Sequence, residues 1–236
     1  MAARGEPAHR QAGLSKDERI DMRPKIPLPC LMLVTDRSLC HGATLPEVVR
    51  GAVEAGVAAV QFREKDLPAG EQLKLGAQVQ QNVRGKALFI VNDRVDVALA
   101  LDADGVQLPA SGLPVALARK LLGNQRLIGR SVHSLQGAVA AEQAGADYII
   151  FGPVYTTSSH PGAPPASTQA LREVAQAVRI PVLAIGGITA ENAAAVLQAG
   201  AAGVAVISAI LRAHNPREAA LELRAELRVK KEVRDD

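Results

Sequence analysis

From Cys30 onward, short apolar runs alternate with longer stretches whose apolar residues return every three or four positions. The runs fall at 30–35, 58–62, 87–91, 104–108, 127–130, 147–151, 182–185 and 203–207, each the length of a strand. Between them lie segments rich in Ala, Leu, Glu and Gln, of which Leu45 to Ala55 and Ser134 to Ala144 carry the helical period. A last amphipathic helix is predicted from Pro216 to Lys230, with Leu221, Leu223 and Leu227 among its apolar positions. Gly56, Gly145 and Gly200 each follow a predicted helix and precede an apolar run, where a left-handed cap costs a residue with Cβ about 1 kcal/mol or more.

Strand and helix in strict alternation demand parallel pairing with right-handed crossovers. Eight such units closing on themselves give a single-domain (β/α)₈ TIM barrel, predicted for residues 29–230. The rival is an open doubly wound sheet, whose GxGxxG dinucleotide fingerprint is absent. Residues 1–28 are polar, contain Pro and Gly, lack periodicity and read as a flexible leader, with Met22 as an alternative start. Residues 231–236 read as a polar tail.

Composition narrows the partners. Aromatic residues are 2% of the chain and Trp is absent, so the core must be Ala, Val, Leu and Ile, and base stacking has few platforms. The net charge of +3 comes from 27 basic and 24 acidic residues without a basic block, which argues against nucleic acid. No apolar run is long enough to cross a bilayer, and the amino end lacks an apolar signal core, so a cytoplasmic protein is expected. Cys30 and Cys40 read as reduced thiols; a disulfide between them is conceivable but unnecessary at this size.

In a closed barrel the site forms at the carboxyl ends of the strands, and the polar residues gather there. Gly186 and Gly187 end strand seven, while Ile207 and Ser208 end strand eight; their backbone N–H groups suit an oxyanion, helped by a short helix from Ala209. The plainer reading of these glycines is a tight turn. Alternation after strand two sends Gln61, Arg63 and Lys65 to one side and Phe62 and Glu64 to the other. Two cations and an amide suit a phosphate, pyrophosphate or carboxylate; otherwise they form a solvated loop paired with Glu64 or Asp66. Asn92 and Asp93 end strand three, Gln107 ends strand four, and Ser131 follows strand five. Asp93 has three readings: a metal ligand, an orienting carboxylate for Lys65 or Arg63, or the N-cap of the next helix. His133 should hang over the barrel mouth, either moving a proton near neutral pH or bonding a loop carbonyl as a structural group. Thr157, Ser159 and His160 lie in the loop after strand six, as a lid or as ordinary loop polarity.

From about residue 30 to 225 the chain resembles the superfamily of thiamine phosphate synthase and its relative, the thiazole tautomerase. The strings Gln61-Phe62-Arg63-Glu64-Lys65, Val91-Asn92-Asp93-Arg94, Gly152-Pro153-Val154-Tyr155 and Ala184-Ile185-Gly186-Gly187-Ile188-Thr189 carry that resemblance. It implies a barrel that binds a thiazole phosphate at its last two strands, and a homodimer only by analogy. The synthase joins an aminopyrimidine pyrophosphate to the thiazole phosphate with Mg²⁺, and the resemblance implies Asp93 and a second carboxylate as its ligands. Gly112 falls where that second carboxylate belongs, and His160 where the mobile loop usually presents a lysine. Val106-Gln107-Leu108-Pro109 and Ile128-Gly129-Arg130-Ser131-Val132-His133-Ser134 resemble the tautomerase instead. The expectation is therefore a cofactor-free thiazole tautomerase, an isomerase with His133 as its proton shuttle and no metal. The alternatives are the Mg²⁺-dependent synthase and a non-catalytic thiazole phosphate-binding protein.

Overall fold

The computed structural model describes residues 24–157, 162 and 164–228. Eight parallel strands, β1 (Cys30–Val34), β2 (Ala59–Phe62), β3 (Leu88–Asn92), β4 (Gly105–Leu108), β5 (Leu127–Val132), β6 (Tyr148–Phe151), β7 (Val182–Ile185) and β8 (Gly203–Val206), close into a barrel in sequence order. The closing pair sets Cys30 against Gly203 and Leu33 against Val206. A Cβ on Gly203 would run into the Cys30 backbone, so the seam needs glycine. Closure excludes the open sheet. The one shift that matters for the site is in β5, which runs on through Ser131 and Val132 rather than ending at 130, so Ser131 is a strand residue.

The strands are apolar at nearly every position because barrel core and helices bury both faces. Met32, Phe62, Phe89, Tyr148 and Phe151 are among the largest buried side chains, so most of the chain's few aromatics fill the core. Around the barrel lie α1 (Leu45–Glu54), α2 (Ala69–Val83), α3 (Val95–Ala100), α4 (Val115–Leu122), α5 (Leu135–Gln143), α6 (Ser167–Ala177), α7 (Ala190–Gln198), α8 (Ser208–Leu211) and α9 (Pro216–Arg228). In α1, Leu45, Val48, Val49, Ala52 and Val53 face inward, and the Glu47 carboxylate accepts from the Thr44 N–H (2.8 Å) and hydroxyl (2.7 Å) to start the helix. The helix then stops at Gly56, where φ is +97°.

In α9 the buried positions are Ala220, Leu223 and Leu227. Leu221 is 41% exposed, contrary to its expected place on the apolar face, because it lies about 100° round the helix from Ala220. Ile26 is buried against the core, ahead of β1. At the closed end of the barrel, Asp104 and Asp147 stand just before β4 and β6. Each accepts from a backbone N–H of the preceding strand, Phe89 and Ile128 respectively, both at 2.7 Å. Arg119 holds Asp147 in place at 2.6 Å.

Candidate functional site

The strands' carboxyl ends surround one pocket. It is lined by Gln61, Arg63 and Lys65 from the β2 exit, Asn92 from β3, Ser131 and His133 from β5 and Thr157 from the loop after β6. Gly186, Gly187, Ile207 and Ser208 complete it from β7 and β8. Gln107 is the exception among the expected ligand contacts. It is fully buried behind the wall and donates its Nε2 proton to Ser131 Oγ at 3.0 Å. Ser159 and His160 lie outside the described residues.

The β2 exit owes its shape to a buried carboxylate. Glu64, 4% exposed, accepts from the Thr35 hydroxyl (2.6 Å), from the Arg37 N–H (3.1 Å) and from the Arg37 guanidinium (3.1 Å). Arg37 also grips Asp66, and both carboxylates hold its guanidinium above its ordinary pKa. Thr35 Oγ1 in turn accepts from the Arg63 N–H at 2.8 Å. Glu64 and Asp66 are therefore spent on Arg37, and Arg63 and Lys65 form no ion pair among the described residues. Burial and the neighbouring Arg63 lower the Lys65 pKa, with Asp93 acting the other way. Thr35 and Arg37 were not anticipated as supports; only the alternation that turned Glu64 inward hinted at a buried partner.

Two amides orient the neighbouring wall. Gln61 Nε2 donates to Asn92 Oδ1 at 2.9 Å, leaving the Asn92 amide protons for the pocket. Gln107 uses the Ser131 oxygen as an acceptor, so the Ser131 hydroxyl proton must point elsewhere. With Arg63 and Lys65, this half of the mouth presents donors. It suits an anion.

The β7–β8 side is built differently. Gly186 and Gly187 have φ of +100° and +63°, which side chains rarely adopt. A Cβ on Gly186 would meet Pro153 Cβ at 2.6 Å, and one on Gly187 would meet the Thr156 carbonyl at 2.5 Å. Asn192 Nδ2 donates to the Gly187 carbonyl (2.9 Å), while its Oδ1 accepts from the Thr189 N–H (3.0 Å), tying the turn to the start of α7. The glycine turn and Ile207–Ser208 line the pocket, where their main-chain N–H groups suit an oxyanion.

Asp93 does not cap α3. Arg94 holds the N-cap position, and its guanidinium pairs with Asp96. Asp93 is itself in the left-handed region, φ +63°, a strained conformation that Asp tolerates better than most residues. His133 is exposed at the rim, its Nδ1 2.5 Å from the Gly152 carbonyl. A carbonyl only accepts, so Nδ1 carries the proton in this contact.

A (β/α)₈ barrel whose strand ends bring together a glycine turn at β7–β8 and two cations without an ion-pair partner among the described residues has the form of a barrel enzyme with a site that suits an anionic ligand. Within that class, the thiamine monophosphate synthase family model matches residues 31–210, and the chain belongs to that family. A putative thiamine-phosphate synthase of Geobacter sulfurreducens is 49% identical over 197 residues, covering 83% of this chain and 92% of that one. The thiamine-phosphate synthase of Haloarcula marismortui is 46% identical over 193 residues, covering 80% and 92%. The solved thiamine phosphate pyrophosphorylase of Pyrococcus furiosus superposes with a TM-score of 0.78 at 43% identity, covering 87% of this chain and 96% of that one.

These relatives overturn the tautomerase expectation, and with it the isomerase assignment: the Geobacter and Haloarcula proteins carry the synthase name, which was the alternative, and the solved structure that of a thiamine phosphate pyrophosphorylase. The two strings that suggested the tautomerase have architectural roles in this barrel. Gln107 braces Ser131, and His133 ties the β5 exit to Gly152. Among the described residues no helix is long and apolar enough to cross a membrane.

Proposed function

We propose that this chain is a thiamine-phosphate synthase, a transferase that joins an aminopyrimidine carrying a pyrophosphate to a thiazole phosphate. The observation that carries this reading is one pocket lined by a glycine turn at β7–β8 and by two cations at the β2 exit, which we take as two anion sites. Gly186, Gly187, Ile207 and Ser208 offer main-chain contacts to a phosphate that stays bound, and Arg63 and Lys65 face a pyrophosphate that must leave. The synthase relatives supply the reaction class.

In the coupling, the lone pair of the thiazole ring nitrogen forms a bond to the methylene carbon of the pyrimidine. The bond from that carbon to pyrophosphate breaks, and its electron pair leaves with the pyrophosphate. No proton moves in this step, so His133 serves as pocket wall, without a shuttle to perform. Charge develops on the leaving oxygen, where Arg63 and Lys65 stabilise it through charge-assisted hydrogen bonds. The Asn92 amide and the Ser131 hydroxyl hold acceptors of the pyrimidine ring, and the β7–β8 turn fixes the thiazole for attack.

Mg²⁺, which the family resemblance implies, has poor support from this chain's own donors. No group of three metal-ligating side chains occurs among the described residues. Asp93 is a single carboxylate, and Lys65, Arg94 and Arg130 are cations acting on it. A resident ion does not fit that set.

The test is pyrophosphate release by the purified protein supplied with both precursors. Release that needs both compounds is expected. Its absence with either compound omitted, and equally with both present, would remove the synthase reading.

A further inference from the structure

The rim between β3 and β4 supports an inference that deepens the synthase reading and rests on it. Asp93 leans over the loop that follows β4. A Cβ on Gly112 would lie 2.9 Å from Asp93 Oδ1 and 2.8 Å from Pro109 Cδ. A position that faces Asp93 closely is therefore a residue with no side chain. Gly112 is outside the left-handed region, so its backbone does not require glycine; its N–H closes a turn on the Pro109 carbonyl at 2.8 Å.

A cation approaches from the other side. Arg130 reaches across from β5 and donates to the carbonyls of Ala110 (2.7 Å) and Leu113 (2.8 Å), fixing the loop without a carboxylate partner among the described residues. Arg94 is spent on Asp96. Lys65 and Arg130 are then two charges set against the single carboxylate of Asp93, with Arg63 beside Lys65. A divalent ion needs several oxygen ligands and is repelled by such a surround, whereas a pyrophosphate is drawn to it.

We infer that this mouth holds no divalent cation of its own, that Arg63 and Lys65 in the pocket wall, with Arg130 behind the loop after β4, supply the positive charge for pyrophosphate, and that any metal arrives as a counter-ion of that anion. Gly112 is the position that sets this preference, since a carboxylate there would stand beside Asp93 and create a two-carboxylate site.

The test uses the full chain and two simple probes, Mn²⁺ and inorganic pyrophosphate. Titration followed by the free Mn²⁺ resonance should detect no binding to the unmodified protein up to about 1 mM. Pyrophosphate measured by calorimetry should bind in EDTA within about threefold of its affinity in Mg²⁺. Arg130→Gln, which keeps donors for the loop carbonyls and removes the charge, should weaken pyrophosphate by about fivefold, and more at low salt. Gly112→Asp should bind Mn²⁺ at least about tenfold more tightly than Gly112→Ala, which carries the steric cost of a Cβ alone.

Micromolar Mn²⁺ binding by the unmodified chain, loss of pyrophosphate binding in EDTA, or equal Mn²⁺ affinity in the two Gly112 variants would overturn the inference. Should Gly112→Asp fail to fold, the first two measurements still decide. None of them uses the two precursors, so a failed coupling reaction would remove the synthase reading while these results judged the metal separately.

Discussion

On the synthase reading, the two halves of the mouth serve the same end, binding an anion, by opposite means. At β7–β8 the grip is main chain: two glycines with positive φ lie packed under Pro153 and Thr156, tied to α7 by Asn192. At β2 the grip is side chain, two cations held out by a buried carboxylate that is bound to a third. A main-chain cradle is rigid and neutral, suited to a group that remains bound throughout the reaction. Charged side chains strengthen as negative charge develops and suit a group that leaves. The contrast predicts that the two halves fail in different kinetic parameters.

The largest effect is expected at Gly187. Gly187→Ala forces a side chain into positive φ and against the Thr156 carbonyl, so the KM for the thiazole phosphate should rise on the order of 100-fold. The KM for the pyrimidine pyrophosphate should change far less. A uniform rise in both would erase the division. Next, Arg63→Ala should cut kcat/KM for the pyrimidine pyrophosphate by about 10- to 100-fold, with Arg63→Lys recovering part of it, and should leave thiazole phosphate affinity within several-fold. Calorimetric binding of each precursor separates the two outcomes.

Glu64→Gln probes the support rather than the grip. It keeps the shape but removes the charge that holds Arg37, and thermal unfolding should register a loss of about 1–3 kcal/mol. The effect on activity should fall on the pyrophosphate side only.

A smaller effect is expected from pH. Burial and Arg63 lower the Lys65 pKa from 10.5, so the folded chain gives up that proton at a lower pH than an exposed lysine does. Pyrophosphate affinity should be full near neutral pH and fall as pH rises through the depressed value, below 10.5. Between the two pKa values the unfolded chain holds more protons at this site, so its contribution to stability rises with pH there. Lys65→Arg should move the alkaline limb upward, which a pH profile of pyrophosphate binding checks. The smallest effect concerns the thiols. Burial pushes the Cys30 thiol up to about 12, so an alkylating reagent should modify Cys40 first, as mass spectrometry of digested protein would report.

The barrel was legible because its signals are local and repeated: apolar strands, helical periods, and Gly56, Gly145 and Gly200 at the helix ends. The pocket wall was legible because period-two alternation fixes which side Gln61, Arg63 and Lys65 share. What escaped is the set of partners supplied by other strands. Nothing around Glu64 announces Thr35 and Arg37, which lie 29 and 27 positions away and meet it only when β1 and β2 pair. Of the three readings of Asp93, the helix cap fails because Arg94 holds the cap position and pairs with Asp96. For His133 the sequence offers a proton carrier or a structural group bonded to a loop carbonyl, and the contact with the Gly152 carbonyl fits the second. The choice of branch went astray for the same reason, since residues that brace a rim were read as residues that act on a substrate.

The most direct test follows both products from one sample. Purified protein is mixed with the aminopyrimidine pyrophosphate and the thiazole phosphate, and the joined thiazolium phosphate and free pyrophosphate are quantified together by chromatography. Equal amounts of the two, appearing only when both precursors are present, are predicted. Pyrophosphate without the joined compound, or neither, would contradict a pocket that couples a held phosphate to a departing one.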